Sequence, residues 1–472
     1  MQLAQRTLSG RKVLVVGLGR SGLAAARLCA ARGAQVTVTD KQPAEALAAA
    51  LAQLPATVKQ ELGGHRSETF LASDIIVLSP GVGPLPEVEA ARTRKVIITG
   101  ELELASWFVE APIVAITGTN GKSTTTTLCG AILAANGRPT FVGGNLDVPL
   151  AEAVGTPAAQ LGGICVVEVS SFQLETVESF RPQVAVLLNI TADHLDRHLT
   201  LDGYRAAKAR IFSAQTPADF AVLNADDPLV EAAAKGIRGQ RLLISTRRSL
   251  TVGGWIEGDA LCVRLPGGPV EYYPTRLPGL VGRHNLENAL AALVAGRLAG
   301  ALPAEARRAV LAFRPLPHRM ELVGDLDGVL FYDDSKGTNV GAVVAALDQF
   351  PRSVVLIAGG RDKGGSYEPL ARVMKQAGRG AVLIGEAAPK LREVLATVVP
   401  VEMAASMEEA VGQAATMARS GDAVVLSPAC SSFDMFRSYE HRAEVFRAAV
   451  KNLLAQRRAE RGDTPEGPDE AT

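Results

Sequence analysis

The sequence predicts an α/β protein built in three sections, and three observations predict it. Short runs of Val, Ile and Leu recur along the chain and alternate with Ala- and Leu-rich stretches. Continuous apolar runs suit strands covered on both faces, and their alternation with helices marks parallel sheets. Two glycine-rich loops each lie between such a run and a helix-forming stretch, and the turn-rich Phe313-Arg314-Pro315-Leu316-Pro317 sets off a further αβ section. The 472 residues suffice for about two to four domains. The sections are read as 1–100, 101–315 and 316–472.

The first section opens on the run Lys12–Gly17 and the helix-forming Ser21–Arg32, followed by strands at Gln35–Thr39 and Ile75–Leu78. The second has strands at Ile113–Thr117, Ile164–Val169, Val184–Asn189 and Phe220–Asn224, with a helix over Ser123–Asn136. Within it, Val252–Tyr273 carries Gly-Gly, Asp-Ala and Pro-Gly-Gly-Pro and reads as appended hairpins. The third has strands at Val354–Ala358, Ala381–Ile384 and Ala423–Leu426. From about Arg457 the chain is charged and lacks apolar periodicity, so a frayed tail is expected.

Composition narrows the function classes. Lys plus Arg and Asp plus Glu number 49 each, which argues against a nucleic-acid binder. Aromatic residues are only 4%, too few for a base-stacking platform. The five cysteines, Cys29, Cys129, Cys165, Cys262 and Cys430, lack metal-binding spacing and lie mostly in apolar stretches. They read as buried free thiols of a reducing compartment. The N-terminus lacks a signal-peptide pattern, and the longest apolar stretch, near Asn288 to Leu302, is interrupted by Arg297. A cytoplasmic protein without a membrane span is expected.

Gly17-Leu18-Gly19-Arg20-Ser21-Gly22 is G-x-G-x-x-G between a strand and a helix, and Asp40 ends the next strand. Glycines at these positions let a phosphate approach the helix amides. On the residues alone the loop fits NAD, another nucleotide, or a Rossmann-like turn without ligand.

The second loop is more specific. Gly118-Thr119-Asn120-Gly121-Lys122-Ser123-Thr124 follows a buried strand and opens a helix. Its amides can wrap phosphates, Lys122 can neutralise their charge, and Ser123 can coordinate Mg²⁺. It is a variant, because the usual phosphate loop has a glycine where this chain has Ile116. Glu168 ends the next buried strand, where a carboxylate can reach a metal ion or cap a helix. Asp193-His194-Leu195-Asp196-Arg197-His198 is either a polar loop or, through His194, part of the same site.

Taken together, these motifs resemble the Mur ligase family, whose members build the peptide of bacterial peptidoglycan. The likeness runs from about Gly10 to about residue 450. It rests on T-G-T-N-G-K-S-T, G-G-N at Gly143–Asn145, E-V-S-S-F-Q-L-E from Glu168 and D-H-L-D-R-H from Asp193. It continues in Y-R-A-A-K from Tyr204, H-N-L-E-N from His284, P-H-R-M-E from Pro317, D-D-S-K-G-T-N from Asp333 and S-P-A-C-S-S-F-D-M-F from Ser427. The resemblance implies a Rossmann-like domain for the UDP-substrate, a central phosphate-loop ATPase domain and a Rossmann-like C-terminal domain for the amino acid. It points to the branch that adds D-glutamate to UDP-N-acetylmuramoyl-L-alanine. The implied partners are ATP, these two small molecules and two Mg²⁺ ions, with the enzyme a monomer.

The resemblance also implies residue roles. Arg20, Ser21, Asp40, Lys41 and Gly81 would line the UDP pocket, and Asn145 would orient the substrate. Gly118 to Thr124 would bind ATP phosphates, with Lys122 catalytic; Asn285 and Asn288 would flank adenine and ribose. Ser123 and Glu168 would serve the first Mg²⁺, and His194 the second. Lys208 would be carbamylated by CO₂ and so become an anionic metal ligand, although by itself it reads as a solvated helix lysine. Arg319 would meet the γ-phosphate, Asp334 the ribose and Lys336 the phosphates. Thr338, Lys363, Ser432 and the backbone of Phe433 would hold D-glutamate. Read plainly, Arg319 is a surface ion-pair residue and Lys363 a loop cation. The chain departs from the family pattern at Asp147, Gly337 and Phe433, where glycine, alanine and leucine are commoner. Competing readings are a sibling ligase for another amino acid, a folate polyglutamylating relative, an NAD-dependent oxidoreductase and a regulatory ATPase.

Overall fold

The computed structural model describes residues 7–277, 280, 282–314, 316–348, 350–364 and 366–461. Each run read as a strand forms one. By packing, the described residues divide into two compact units. One holds the chain up to Ile190 and Asp202–Arg314; the other holds Thr191–Leu201 and the described residues after Arg314.

The first unit contains two sheets. The N-terminal sheet has β1 (Lys12–Val16), β2 (Gln35–Asp40), β3 (Lys59–Leu62), β4 (Ile75–Leu78) and β5 (Ile97–Gly100). All pairs are parallel, in the order β3-β2-β1-β4-β5. The order reverses between β1 and β4, leaving a crevice beyond their carboxyl ends where such sheets bind ligands. Val13 to Val16 are almost wholly buried, as a strand covered on both faces requires.

The second sheet has β6 (Ile113–Thr117), β7 (Thr140–Gly144), β8 (Ile164–Glu168), β9 (Val184–Leu187), β10 (Phe220–Asn224), β11 (Gln240–Ser245), β12 (Gly253–Glu257), β13 (Ala260–Arg264) and β14 (Val270–Pro274). Its order is β14-β13-β12-β11-β10-β9-β6-β8-β7. The pairs are parallel through β12, and the expected hairpins form the antiparallel meander β12–β13–β14. Leu261, Val263 and Tyr273 of this meander join the core that also holds the helices Lys122–Ala134 and Arg283–Leu298. Arg297, which interrupts that apolar helix, pairs with Glu271 on β14 at 2.6 Å. Its charge is therefore matched inside the fold rather than left in an apolar setting.

The second unit is built on β15 (Glu321–Leu326), β16 (Val329–Asp333), β17 (Val354–Gly359), β18 (Gly378–Ile384), β19 (Val401–Met403) and β20 (Ala423–Leu426). Their order is β15-β16-β20-β17-β18-β19, parallel except for β15 with β16. The final helix, Tyr439–Arg461, runs past Arg457, where the sequence pattern suggested fraying. Helix-forming Gln, Arg, Ala and Glu and an Arg457–Glu460 pair at 3.0 Å carry it on without an apolar stripe. The tail from 462 lies outside the described residues. No helix among the described residues is long and apolar enough to cross a membrane.

All five cysteines are buried and free. Burial pushes the thiols of Cys29, Cys129 and Cys165 up to about 12, so they are unreactive at neutral pH.

Candidate functional site

The first candidate region is a cleft of about 590 Å³ at the carboxyl ends of β1 and β4. Gly17 leaves β1 with φ +86°, a left-handed turn that favours glycine. A Cβ on Gly22 would lie 1.9 Å from the Gly17 carbonyl oxygen, so the helix Arg20–Ala31 can start this close only on glycine. That helix has no side-chain cap, which leaves its first amides available to an anion. Asp40 braces the loop by accepting from the amides of Leu18 (2.8 Å) and Gln42 (2.9 Å). Arg20, Ser21, Asp40, Lys41, Gly81 and Asn145, the residues expected at a UDP pocket, all line this one cleft.

The second region lies at the carboxyl ends of β6, β8 and β9. Ile116 is still strand and fully buried, so the turn begins only at Gly118 and needs no glycine at 116. Asn189, just past β9, braces the turn. Its Oδ1 accepts from the Asn120 amide at 2.8 Å, and its side-chain amide donates to the Asn120 carbonyl at 3.1 Å. Gly121 has φ +84°, and a Cβ there would lie 2.1 Å from Asn288 Oδ1. Asn288 thus packs on the loop. It accepts from Thr125 Oγ1 and donates to Asn285 Oδ1, one helical turn away. Lys122 Nζ donates to the carbonyls of Gly118 (3.0 Å) and Thr119 (2.8 Å). Ser123 and Thr124 follow it in the first turn of the helix, both buried.

Glu168 is 3% exposed at the end of β8. Its Oε1 accepts from Asn145 Nδ2 at 2.8 Å, while its buried Oε2 has no hydrogen-bond partner among the described residues. A carboxylate oxygen left without a donor inside a protein is costly unless a cation completes it. The donor set of Ser123 hydroxyl and Glu168 carboxylate beside a phosphate loop fits Mg²⁺. Lys208 is 1% exposed, not solvated as its sequence context suggested. It donates to the Gly118 carbonyl at 2.8 Å and stacks over Tyr204.

The remaining expected residues belong to the second unit. Asp334 and Ser432 are buried there, Lys336 stands over the Tyr439 ring, and Thr338 closes the turn back to the Lys336 carbonyl. Burial pushes the Asp334 carboxyl up to about 7, although the Ser427 hydroxyl, donating at 2.5 Å, and the Arg319 charge both favour its ionised form. Arg319 makes no ion pair among the described residues, and its buried Nε has no hydrogen-bond partner. A Cβ at position 337 would lie 2.6 Å from Asp334 Oδ2, which accounts for Gly337 where alanine is commoner. The Phe433 side chain is exposed.

Lys363 is not a bare loop cation, because Asp193 lies 3.6 Å from its Nζ. Asp193 also accepts from Asn339 Nδ2 at 3.1 Å and from the His194 amide at 3.0 Å. His194 itself has φ +53° and precedes the short helix Leu195–His198. His318, Glu321 and Asp333 form a candidate cation cluster, but Arg447 already bonds both carboxylates.

Family models cover most of the chain. The Mur ligase MurD-like N-terminal domain matches residues 11–100, the Mur ligase middle domain 116–296, and the Mur ligase glutamate ligase domain 318–430. The chain belongs to the Mur ligase family. A UDP-N-acetylmuramoylalanine–D-glutamate ligase of Geotalea daltonii is 50% identical over 452 residues, covering 94% of this chain and 98% of that one. The enzyme of the same name from Anaeromyxobacter dehalogenans is 48% identical over 461 residues, with the same coverage. Among solved structures, the MurF ligase of Thermotoga maritima in complex with ADP aligns with a TM-score of 0.58 at 18% identity. It covers 97% of this chain and 98% of that one. UDP-N-acetylmuramate-alanine ligase MurC of the same organism gives 0.57 at 18%, over 95% and 100%. At these identities the structures share the fold of this Mur ligase.

Several residues of this Mur ligase were missed by sequence reasoning. Arg442 is fully buried and donates to Ser335 Oγ (3.0 Å), the Ser335 carbonyl (2.8 Å) and the Cys430 carbonyl (3.2 Å). It ties the loop after β16 to the loop after β20. Asn189, Asp193 and Asn339 likewise brace expected site residues. The available signal was polar residues at strand ends and helix starts, which marks turns as readily as sites.

Proposed function

We propose that this Mur ligase joins D-glutamate to UDP-N-acetylmuramoyl-L-alanine at the expense of ATP, in peptidoglycan precursor synthesis. The observation that carries the reading is Asn145, which lines the first cleft and also bonds Glu168 beside the phosphate loop. A substrate held by its UDP end in the cleft would thereby present its free carboxylate next to the γ-phosphate of ATP.

The chemistry explains the need for both regions. A carboxylate is a poor acylating agent, so its oxygen first attacks the γ-phosphorus and ADP leaves. The D-glutamate amine then attacks the acyl carbon and loses a proton, and phosphate departs from the tetrahedral intermediate. Anions meet at each step, so donors and cations must be fixed in place beforehand. Arg20, Ser21, Asp40, Lys41 and Gly81 would hold the UDP moiety, with Asn145 orienting the acceptor. Lys122 and the amides from Gly118 to Thr124 would hold the ATP phosphates, and Asn285 and Asn288 would border its nucleoside. Arg319, Asp334 and Lys336 would complete the nucleotide contacts. Thr338, Lys363, Ser432 and Phe433 would hold D-glutamate. Mg²⁺, when bound, would screen phosphate charge, with Ser123 and Glu168 as ligands of one ion and His194 of a second.

Carbamylation of Lys208 is part of the reading. Its burial against the phosphate loop supports it, since a carbamate there would add an anion where the cations gather. Depleting CO₂ from the assay should lower activity of the wild type, and bicarbonate should restore it. The sections 1–100, 101–315 and 316–472 would serve UDP-substrate, ATP and amino acid in turn, in keeping with the family-model spans. Each chain carries both groups of residues, so the reading needs only a monomer, and the buried thiols suit the cytoplasm.

The test is phosphate release from ATP with UDP-N-acetylmuramoyl-L-alanine and D-Glu, L-Glu, L-Ala or a diamino acid in parallel. Turnover with D-Glu alone is expected. ATP hydrolysis indifferent to every amino acid would overturn the reading.

A further inference from the structure

Asp147 occupies a backbone position that favours glycine. Its φ is +51°, and the Val148 amide bonds the Leu146 carbonyl at 2.6 Å, so a tight three-residue turn is centred on it. Side chains other than glycine's are strained there, although Asp tolerates it better than most. The Asp147 carboxylate has one side-chain partner among the described residues, the Arg20 guanidinium at 3.3 Å. Arg20 Nη1 also reaches the Asp147 carbonyl at 3.4 Å. Arg20 opens the helix that follows β1, Asp147 lies in the loop after β7, and both line the 590 Å³ cleft.

Arg20 is the first cation at the start of an uncapped helix, so an anion entering the cleft would be drawn to it. Asp147 holds that same guanidinium. We propose that Asp147 is an internal counter-ion that the phosphates of an incoming ligand must displace from Arg20, so that it weakens the cleft's hold on a nucleoside diphosphate while leaving a nucleoside without phosphates unaffected. The proposal rests on the assignment of the cleft to the UDP end of the substrate. Ligands that leave Arg20 alone are indifferent to Asp147, whereas ligands whose phosphates take Arg20 compete with it.

Both side chains are largely solvent-exposed, 73% and 66%, so the competition is modest. Replacing Asp147 should tighten diphosphate binding by about two- to fivefold. The test is calorimetric titration of wild type, Asp147→Asn, Asp147→Gly, Arg20→Leu and the Arg20→Leu/Asp147→Asn double variant with UDP and with uridine. Asp147→Gly relieves the backbone and guards against misfolding. The expected result is tighter UDP binding in both Asp147 variants, unchanged uridine binding, and loss of the Asp147→Asn gain when Arg20 is absent. UDP binding that is equal or weaker in both Asp147 variants would overturn the proposal. A gain of the same size without Arg20 would also overturn it, since the effect would then be general repulsion. If folded wild type binds no UDP, the assignment of the cleft fails, and this proposal with it.

Discussion

Asn145 donates its side-chain amide to Glu168 Oε1 at 2.8 Å, and its backbone amide donates to the Glu168 carbonyl at the same distance. One residue therefore fixes both the position and the orientation of a buried carboxylate whose other oxygen is open. The β7–β8 pairing makes this possible, because Gly144 stands directly opposite Glu168. A Cβ on Gly144 would lie 2.3 Å from the Glu168 carbonyl oxygen.

Replacing Asn145 with Ala should lower activity by about 10- to 100-fold, the usual effect of losing a group that orients a metal ligand. The Mg²⁺ concentration for half-maximal rate should rise with it, while UDP binding in the cleft changes little. Steady-state rates across a Mg²⁺ series check this. A variant that loses UDP affinity but keeps its Mg²⁺ dependence would place Asn145 in the cleft alone.

With Asp334 at the ribose, as proposed, nucleotide binding should depend on pH. Its carboxyl titrates at about 7 instead of 3.8, because burial disfavours the charge. The raised value means that the folded state holds a proton the unfolded chain has lost between these pH values. Its contribution to stability is therefore full below about pH 4 and lost as pH rises through about 7. In that proposed contact the ionised form would be the better acceptor for ribose hydroxyls, so ADP affinity should rise by up to about tenfold from pH 6 to 8. Asp334→Asn should flatten that profile. It should also be more stable than wild type at pH 8, by on the order of 2–4 kcal/mol, but not at pH 4. Calorimetric ADP titrations and chemical denaturation at these pH values read both effects.

Gly121→Ala should damage the phosphate loop more than a single methyl suggests. The new Cβ would meet Asn288 Oδ1 at 2.1 Å, and φ +84° adds about 1–2 kcal/mol of backbone strain. Asn288 must retreat, and with it the bonds to Thr125 and Asn285. ADP affinity should fall at least about tenfold, corresponding to about 1.4 kcal/mol. UDP binding in the other cleft should be preserved, which separates local damage from unfolding.

What the sequence disclosed follows from how local each signal is. Runs such as Val13–Val16 and Val354–Ala358 are buried on both faces and so are apolar throughout. The strands Lys59–Leu62 and Val401–Met403 escaped notice because each lies at a sheet edge, where exposed residues such as Lys59, Gln60 and Glu402 break any apolar run. The six residues expected at a UDP pocket line one cleft because glycine loops and strand ends are set by local sequence. Lys208 shows the opposite case. It reads as solvated because its neighbours on the helix Leu201–Ala209 are mixed, and nothing local reports that the Gly118 carbonyl comes to meet it. Asp193 and Lys363 are likewise far apart in sequence, and only the folded chain pairs them.

Arg442 is the strongest case of a distant residue tied to the loops that carry expected site residues. It is fully buried and held by three hydrogen bonds to two loops, and burial brings its guanidinium down to about 10, still charged at neutral pH. Ser335, its main partner, lies between Asp334 and Lys336, while Cys430 lies two residues before Ser432. Arg442→Met keeps much of the volume but leaves the Ser335 and Cys430 carbonyls without their donors. Unmet buried acceptors cost about 1–3 kcal/mol each, so unfolding should become easier by roughly 2–5 kcal/mol. Arg442→Lys restores one charge but not the planar fork, and should recover part of that loss. The KM values for ATP and D-glutamate should rise together in Arg442→Lys, since both loops lose the same tie. A thermal shift without any change in either KM would reduce Arg442 to a structural residue. A rise in only one KM would mean that the loops move independently.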